Sequence, residues 1–243
     1  MEEVIVIAVI ALLVAFGIPA VRSLFKSLEA RGGGRAMISA TLSSARAIAA
    51  KEQSYAGVRF QHAYFKDDPA KSPLKMPQYM IFIIYDSELP RDSIPGNLGC
   101  RAVEGLKPIK LPEDVGIMEV VGNDNEIDGD DELIDKTTFS IIFSPNGKLV
   151  IHKLWIINRD GAPGNGSKDD IFNTDTNADN GIGMFLQDDY PSYNLDTELS
   201  IKRFRIYDRK IFENIDKNDR WSKYLKDLEI IYINPYTGTM IDK

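Results

Sequence analysis

The densest group of side chains that could perform chemistry is an acidic segment, residues 124–135, with seven carboxylates in twelve positions. With Gly129 at the sharp turn of an EF-hand loop, five side chains fall at loop positions 1, 3, 5, 9 and 12: Asp124, Glu126, Asp128, Glu132 and Asp135. Oxygen atoms from these positions can converge on a hard cation such as Ca²⁺. Glu at the third position and Asp at the last depart from the usual pattern, and flanking helices are missing. The segment predicts either a calcium site or a solvated acidic hairpin loop.

A second, weaker candidate for calcium binding consists of Asp175, Asn177 and Asp179, which precede Gly181 with one residue more than an EF-hand loop allows. These residues lie within 158–183, a stretch rich in Asn, Asp and Gly. Such a stretch is too polar to form core, so a long surface loop is predicted. The GAPGNG sequence within it is not a dinucleotide-binding fingerprint, because its glycine spacing is wrong and no strand-to-helix switch follows.

Histidine and cysteine chemistry is sparse in this chain. Two histidines, His62 and His152, and a single cysteine, Cys100, exclude an intrachain disulfide and a four-cysteine zinc site. Both histidines fall in predicted strands, where a structural role is the commoner one. No Ser-His-Asp, His-Glu-x-x-His, P-loop or thioredoxin pattern occurs, and nothing singles out a carboxylate pair for glycosidase chemistry. The prediction is a protein that is not an enzyme.

The charge of the chain is unevenly distributed. The 243 residues carry a net charge of −7, which gives no basic footprint for nucleic acid. Residues 1–60 hold seven basic and four acidic side chains, whereas the remainder holds 22 basic and 32 acidic ones. This asymmetry predicts a mildly basic stalk that carries an acidic head. With 44% hydrophobic residues, the head has ample material for a packed core.

The stalk begins with an apolar run, residues 4–21, that contains no charged or polar side chain. As a helix it would be roughly 27 Å long, close to the thickness of a bilayer's hydrocarbon core. Glu2 and Glu3 precede the run, and Gly17 and Pro19 interrupt its last turns, where proline removes a backbone donor. The run predicts a helix that crosses a membrane and is interrupted near its end.

Beyond the run, the pattern predicts a second, amphipathic half of the same helix and then a strand-rich head. Apolar residues continue at a 3–4 spacing to residue 53 across three glycines, 32–34. Strands are predicted in 57–64, 79–85, 117–121, 138–143 and 149–157, with a hairpin turn at Asn146 and Gly147. We therefore expect an α+β fold with two regions, 1–53 and 54–243, in which the long N-terminal helix packs on an antiparallel sheet.

The sequence EEVIVIAVIALLVAFGIPAV resembles the N-terminal segment of type IV pilins and of the pseudopilins of type II secretion systems. That family has a glutamate, an apolar helix, and a proline seventeen residues after the glutamate, as Glu2 and Pro19 do here. The family's basic leader, glycine cleavage site and N-methylated first residue do not occur in this sequence. SATLSSARAIAAKEQSYAGVRFQ, with Phe143, Pro145 and Gly147 of FSIIFSPNGKL, resembles the head of minor pseudopilins.

The resemblance implies a structural subunit of a pilus-like filament or a secretion pseudopilus, assembled through Glu2, Glu3, Gly17 and Pro19. It implies identical or related subunits, the inner membrane and the assembly machinery as partners, and a final location in a periplasmic or extracellular filament. The alternative is an extracytoplasmic enzyme or binding domain that uses the N-terminal helix only as a membrane tether. A tether has no use for a carboxylate at the membrane edge or a break in its span, and these two features favour the subunit.

Overall fold

The computed structural model describes residues 32–64, 75–87, 98–120, 127, 130–160, 162, 164–187 and 198–242. Helix α1 covers residues 32–52, and four shorter helices follow it: α2 (Asp130–Thr137), α3 (Asp175–Asp179), α4 (Arg209–Asn214) and α5 (Arg220–Lys223). The strands are β1 (Ala56–His62), β2 (Gln78–Tyr85), β3 (Leu98–Ala102), β4 (Ile109–Lys110), β5 (Val115–Glu119), β6 (Phe139–Phe143), β7 (Leu149–Val150), β8 (Lys153–Ile156), β9 (Phe172–Asn173), β10 (Phe185–Leu186), β11 (Glu198–Leu199), β12 (Arg203–Asp208), β13 (Ile231–Ile233) and β14 (Met240–Asp242).

Helix α1 is amphipathic. Four side chains at a 3–4 spacing are completely buried: Ile38, Leu42, Ala45 and Ala49. The helix ends where Gln53 adopts a left-handed backbone conformation, with φ at 48°. The Ser54 N–H then donates to the Ala49 carbonyl at 3.2 Å, as in a Schellman motif. One face of α1 therefore belongs to the core of the head.

Strand β1 is an inner strand of the largest sheet, and all seven of its residues are buried. It pairs antiparallel with β2 on one side and with β6 on the other. The sheet has the order β11-β8-β3-β2-β1-β6-β7, with β4 also paired to β2. Strands β3 and β8 run parallel, so this eight-stranded sheet is mixed. Because β1 is covered on both faces, it carries buried side chains at every position rather than an alternating pattern.

The two faces of this sheet build two separate apolar cores. The first core contains α1 together with Val58 and Phe60 of β1, and the rings of Phe60 and Phe139 lie 4.9 Å apart. The second core contains Ile83 and Ile142 from the opposite face, covered by residues of the 158–187 segment: Ile171, Phe172 and Phe185. The sheet is thus a central layer between α1 and the 158–187 segment.

The smaller four-stranded sheet, with the order β14-β13-β12-β5, packs into the first core through Ile117 and Phe204. Within this sheet, one edge of β5 pairs with β12. The other edge of β5 contacts the side chain of Gln78 from β2. The Gln78 amide donates to the carbonyls of Ile117 (2.9 Å) and Thr137 (2.7 Å) and accepts from the Ile117 N–H at 2.8 Å. A single completely buried side chain thereby joins both sheets to α2.

The predicted α+β fold with a long N-terminal helix on one antiparallel sheet is wrong. The described residues are mostly sheet, arranged in three sheets, and two strand pairs are parallel. Helices α2 to α5 have only four to eight residues. The predicted pilin-like architecture with a transmembrane helix is wrong as well, because no helix in the described part of the chain is long and apolar enough to cross a membrane. Residues 1–31, with the apolar run, lie outside the described residues.

Two further sequence predictions have different outcomes. The hairpin turn is confirmed: it joins β6 to β7, Gly147 has φ at 70°, and its N–H donates to the Ser144 carbonyl at 2.7 Å. The prediction of a long surface loop over 158–183 is wrong, since this segment contains β9 and α3 and buries Phe172 completely. Its polar residues satisfy one another by hydrogen bonds, which lets the segment cover a sheet.

The replacement Gln78→Met tests the link between the sheets. It keeps the side-chain volume but leaves one N–H and two carbonyls buried without partners, each costing about 1–3 kcal/mol. We expect the free energy of unfolding of the full chain to fall by about 3–5 kcal/mol in urea titrations. The control Gln53→Met removes an exposed amide and should change stability by less than about 0.5 kcal/mol. Equal effects of the two replacements would contradict the assigned role.

Candidate functional site

The attachment of α1 to the head is the first candidate site, because α1 directly follows the N-terminal segment for which the sequence predicts a role in assembly. Arg46 projects from α1 to two turns of the head. Its Nε donates to the Gly147 carbonyl at 2.8 Å, and its two terminal nitrogens donate to the carbonyls of Thr237 (2.7 Å) and Tyr236 (3.3 Å). A guanidinium has enough rigid donors to hold several carbonyls at once. Arg46 therefore fixes α1 to both turns.

Glycine is required in both of these turns. Gly147 and Gly238 have φ near 70°, a left-handed conformation that side-chain-bearing residues rarely adopt. A Cβ on Gly147 would lie 2.8 Å from the Arg46 Nε, and one on Gly238 would lie 3.0 Å from the Phe143 ring. The turns can approach α1 this closely only because these positions carry no side chain.

The first turn of α1 is attached as well. Arg35 forms an ion pair with Asp242 of β14. A Cβ on Gly34 would lie 3.0 Å from both methyl groups of Val115 in β5, so the helix backbone closely approaches the small sheet. Together with Arg46, these contacts hold α1 at its first turn and in its second half. The outward face of α1 carries small side chains: Ala36, Ala40, Ser43, Ser44, Ala47 and Ala50.

The structure describes only part of the predicted calcium segment. Asp124, Glu126 and Asp128 lie outside the described residues, while Glu132 and Asp135 are exposed on α2. Ile127, which lies between Glu126 and Asp128 in the sequence, is completely buried in a third apolar core with Leu133 and Phe212. Arg220 donates to the Ile127 carbonyl at 3.1 Å and stacks on the Phe212 ring at 4.7 Å. The segment is thus tied to the head at its fourth residue, and calcium binding by it stays a prediction.

The second predicted calcium group lies on α3. Asn177 is buried, and its amide donates to the carbonyl of Ser167 (3.1 Å) and to the Oδ1 atom of Asn173 (2.8 Å). Asp175 and Asp179 are exposed. Because residues two apart point to opposite sides of a helix, Asn177 does not face the same ligand as its two neighbours. Within the described residues, no group of three or more His, Cys, Asp or Glu side chains is placed to hold a metal ion.

A network of buried polar groups, which the sequence analysis missed, shapes the 158–187 segment. Asp169 is 5% exposed and accepts the N–H groups of Arg159 (2.7 Å) and Ile171 (2.8 Å). Asp160 accepts the N–H groups of Ala162 and Lys168 and the Ser167 hydroxyl. Partial burial opposes ionisation of Asp160, but these hydrogen bonds outweigh it and lower its pKa. The frequent Asp and Asn residues of the sequence were the available signal for such Asx-type bonding.

A buried ion pair, which the sequence did not predict, joins β1 to β11. Arg59 of β1 is 1% exposed, and one of its terminal nitrogens lies 2.8 Å from the Oε1 atom of Glu198 in β11. The Ser140 hydroxyl donates to the same oxygen at 2.7 Å, and the Arg59 Nε donates to Gln61 at 2.8 Å. Alternation in β1 indicated which face Arg59 occupies, but no local pattern identified a partner 139 positions further along the chain.

The histidines and the cysteine occupy structural positions. The Nδ1 atom of His62 lies 3.1 Å from the Met76 carbonyl, and the ring is 7% exposed. Burial, assisted by repulsion from Arg209, lowers the pKa of His62 to about 4. His152 packs edge-on against Tyr55 at 5.6 Å, and Cys100 is completely buried in the second core.

Comparisons with known proteins do not place this chain in a family. No family model matches it, and neither a curated protein nor a solved structure does.

The lowered pKa of His62 predicts an acid sensitivity. Since the folded state resists protonation, stability is full above the unfolded pKa of about 6.5. It declines as the pH falls from there towards about 4, by up to about 3 kcal/mol. Urea titrations of the full chain at pH 7, 6, 5 and 4 measure this slope. His62→Gln should flatten it, whereas His152→Gln should leave it in place. An equally steep slope between pH 6.5 and 5 in His62→Gln would refute the assignment to His62, because carboxylates with a lowered pKa, such as Asp160, contribute only nearer pH 4.

Proposed function

We propose that this chain is a structural subunit of a type IV pilus-like filament or of a type II secretion pseudopilus. In this proposal residues 4–21 make the contacts with identical or related subunits. The uncharged run and the spacing of Glu2 and Pro19 support it from the sequence. The observation that carries it is the attachment of α1 to the head at two places, through Arg35 in its first turn and Arg46 in its second half.

The attachment favours a subunit over a tethered domain for a mechanical reason. A tethered enzyme or binding domain works best when a flexible linker lets it reach its target. A filament subunit must instead present its head in one orientation relative to its assembly contacts. Because α1 is buried along one face and is held by Arg46 to two turns, the orientation of α1 relative to the head is fixed.

The proposal includes a location and a set of partners. The chain would insert into the inner membrane before assembly and then become part of a periplasmic or extracellular filament. Glu2 and Glu3 would mark the register between neighbours, and Gly17 and Pro19 would allow a local break of backbone hydrogen bonding where neighbouring subunits cover it. The assembly machinery of the filament would be the remaining partner.

A calcium ion held by residues 124–135 would be a structural cofactor in this setting. The seven carboxylates of this segment repel one another, and a divalent cation relieves that repulsion. The segment enters the third core at Ile127 and continues into α2. Binding would therefore stabilise the surroundings of α2. A solvated acidic segment without calcium is the alternative.

The replacement Glu2→Ala tests the proposed assembly. An ionised carboxylate in the hydrocarbon region costs roughly 2.5–3.5 kcal/mol, which a cation from a neighbouring subunit would offset. Removing it should leave membrane insertion intact but reduce incorporation into filaments by about tenfold or more. The measurement is the ratio of filament-bound to membrane-bound protein in fractionated cells.

The replacement Glu3→Ala is the matched control, because it removes the same charge one position away and should have a milder effect. If Glu2→Ala assembles as the unmodified chain does, the register role of Glu2 is wrong. If no filament-bound protein is found for any form, the tethered alternative replaces the proposal.

The calcium proposal predicts a ligand-dependent melting temperature. The full chain in detergent should melt several degrees higher in millimolar calcium than in chelator, because binding to the folded state alone stabilises it by mass action. The double replacement Asp124→Asn and Asp128→Asn should abolish the difference, whereas Asp175→Asn with Asp179→Asn should preserve it. An unchanged melting temperature together with no heat in a calcium titration would exclude this site.

A further inference from the structure

Three asparagines in this chain are followed directly by glycine: Asn146, Asn165 and Asn180. At such a pair the glycine nitrogen can attack the asparagine side chain with little steric hindrance, because glycine carries no Cβ. Two of the three side chains are held in place. Asn165 accepts the Thr174 hydroxyl at 3.0 Å, and Asn180 donates to the Thr176 carbonyl at 2.9 Å. Asn146 is exposed, and its side chain forms no hydrogen bond with any residue that the structure describes.

The turn that contains Asn146 blocks this attack while it is closed. The Gly147 N–H donates to the Ser144 carbonyl at 2.7 Å, and the Ser144 N–H donates to the Lys148 carbonyl at 2.8 Å. Attack requires the Gly147 nitrogen to lose its proton and to approach the Cγ atom of Asn146. A short hydrogen bond to a carbonyl holds that proton and that nitrogen where they are. The turn must therefore open before Asn146 can react.

Helix α1 keeps this turn closed. Although Asn146 is exposed, Gly147 is buried. The Arg46 Nε atom donates to the Gly147 carbonyl at 2.8 Å, and a Cβ on Gly147 would lie equally close to the same nitrogen. The guanidinium also donates to the Thr237 carbonyl at 2.7 Å, which anchors it on a second turn. Opening of the first turn must therefore break its contact with Arg46, and the rate of any reaction that needs the open turn follows the open fraction.

We infer that Asn146 is a site of spontaneous deamidation whose rate is set by the attachment of α1. Once Arg46 leaves Gly147, the Gly147 nitrogen loses its proton and attacks the Cγ atom of Asn146. A new N–C bond closes a cyclic imide, and the side-chain nitrogen takes up the proton and leaves as ammonia. Water then opens the imide at either carbonyl, which gives aspartate or isoaspartate. These steps need no oxidant or reductant. The inference rests on the contacts of α1 and not on filament assembly.

Formation of isoaspartate would make the release of α1 permanent. In isoaspartate the main chain runs through the former side chain of Asn146 and is one atom longer before Gly147. The closed turn has no room for an additional atom, since even a Cβ on Gly147 would lie 2.8 Å from the Arg46 Nε. The Gly147 carbonyl can then no longer return to its position beside Arg46. The modification is thus a one-way switch that records the loss of this contact.

Peptide mapping of the full chain in detergent tests the inference. The protein is kept at mildly alkaline pH for several days, digested with trypsin and analysed by mass spectrometry, with isoaspartate labelled by an isoaspartyl methyltransferase. The three asparagines fall in different tryptic peptides, 137–148, 160–168 and 169–202, so each is followed separately. Arg46→Met should speed the conversion of Asn146 by about fivefold or more, because losing about 1 kcal/mol of hydrogen bonding raises the open fraction by this factor.

Matched variants separate the release of the turn from other effects. Arg35→Met removes the ion pair between the first turn of α1 and Asp242 but keeps Arg46, so the rate at Asn146 should stay within about twofold of that in the unmodified chain. Asn146→Gln lengthens the side chain and should abolish conversion in peptide 137–148. Arg46→Lys keeps the charge but loses the guanidinium fork, and it should give an intermediate rate.

The rates at Asn146 and Asn180 decide the outcome. If Arg46→Met does not fold, Arg46→Lys takes its place in the comparison. Acceleration at Asn146 with an unchanged rate at Asn180 is the expected result. An unchanged rate at Asn146 in the folded variant would overturn the inference. Equal acceleration at both asparagines would overturn it as well, because the whole fold would then have loosened rather than the one turn.

Discussion

The side-chain amide of Gln78 takes the place of a strand between the two main sheets. A β-ladder would satisfy the free edge of β5 with backbone groups. Here one amide does so from β2, using both of its N–H groups and its oxygen on Ile117 and Thr137. Since Thr137 ends α2, the same contact sets the position of the helix that follows the acidic segment. This one buried group therefore links the two sheets to α2, whose residue Leu133 lies in the third core, and it adds a directional contact to the apolar packing of Ile117 and Phe204.

Buried charge fixes two further long-range connections. Arg59 of β1 is buried, and its charge is compensated by Glu198, which also accepts a hydrogen bond from the Ser140 hydroxyl. Arg220 is buried in the third core, where it bonds the Ile127 carbonyl and stacks on Phe212. Removing one partner of such a contact costs more than the contact contributes, because the other charge stays behind without water. These groups therefore specify where distant segments lie more than they add to stability.

Local patterns predicted the elements of this fold but not their arrangement. The 3–4 spacing of Ile38, Leu42, Ala45 and Ala49 indicated the buried face of α1, and alternation indicated β1. The predicted single antiparallel sheet is wrong because strand partners are chosen over long distances. The parallel contact of β3 with β8 is an example, since hydropathy carries no information on direction. The contact of Gln78 with Ile117 and Thr137 could not be predicted either, because local patterns do not show which distant backbone groups a polar side chain will reach.

The candidate sites show the same limit. Residues 158–183 were predicted to be solvated because polarity was equated with exposure, whereas Asp169, Asn173 and Asn177 are buried and bond to one another or to backbone groups. Such mutual satisfaction removes the cost of burying polar groups and cannot be inferred from composition. The sequence predicted a turn at Gly147. That Gly147 also leaves room for the Arg46 side chain could be seen only from the position of α1.

The central sheet separates two kinds of surface. Alternate residues of β1 point to opposite faces: Val58 and Phe60 contribute to the core that holds α1, whereas Arg59 faces the side covered by the 158–187 segment. The 158–187 segment covers that second side through Ile171 and Phe185. The outward face of α1 and the outer surface of this segment are therefore separated by a buried layer of strands. Close packing in that layer keeps the two surfaces in a fixed relation.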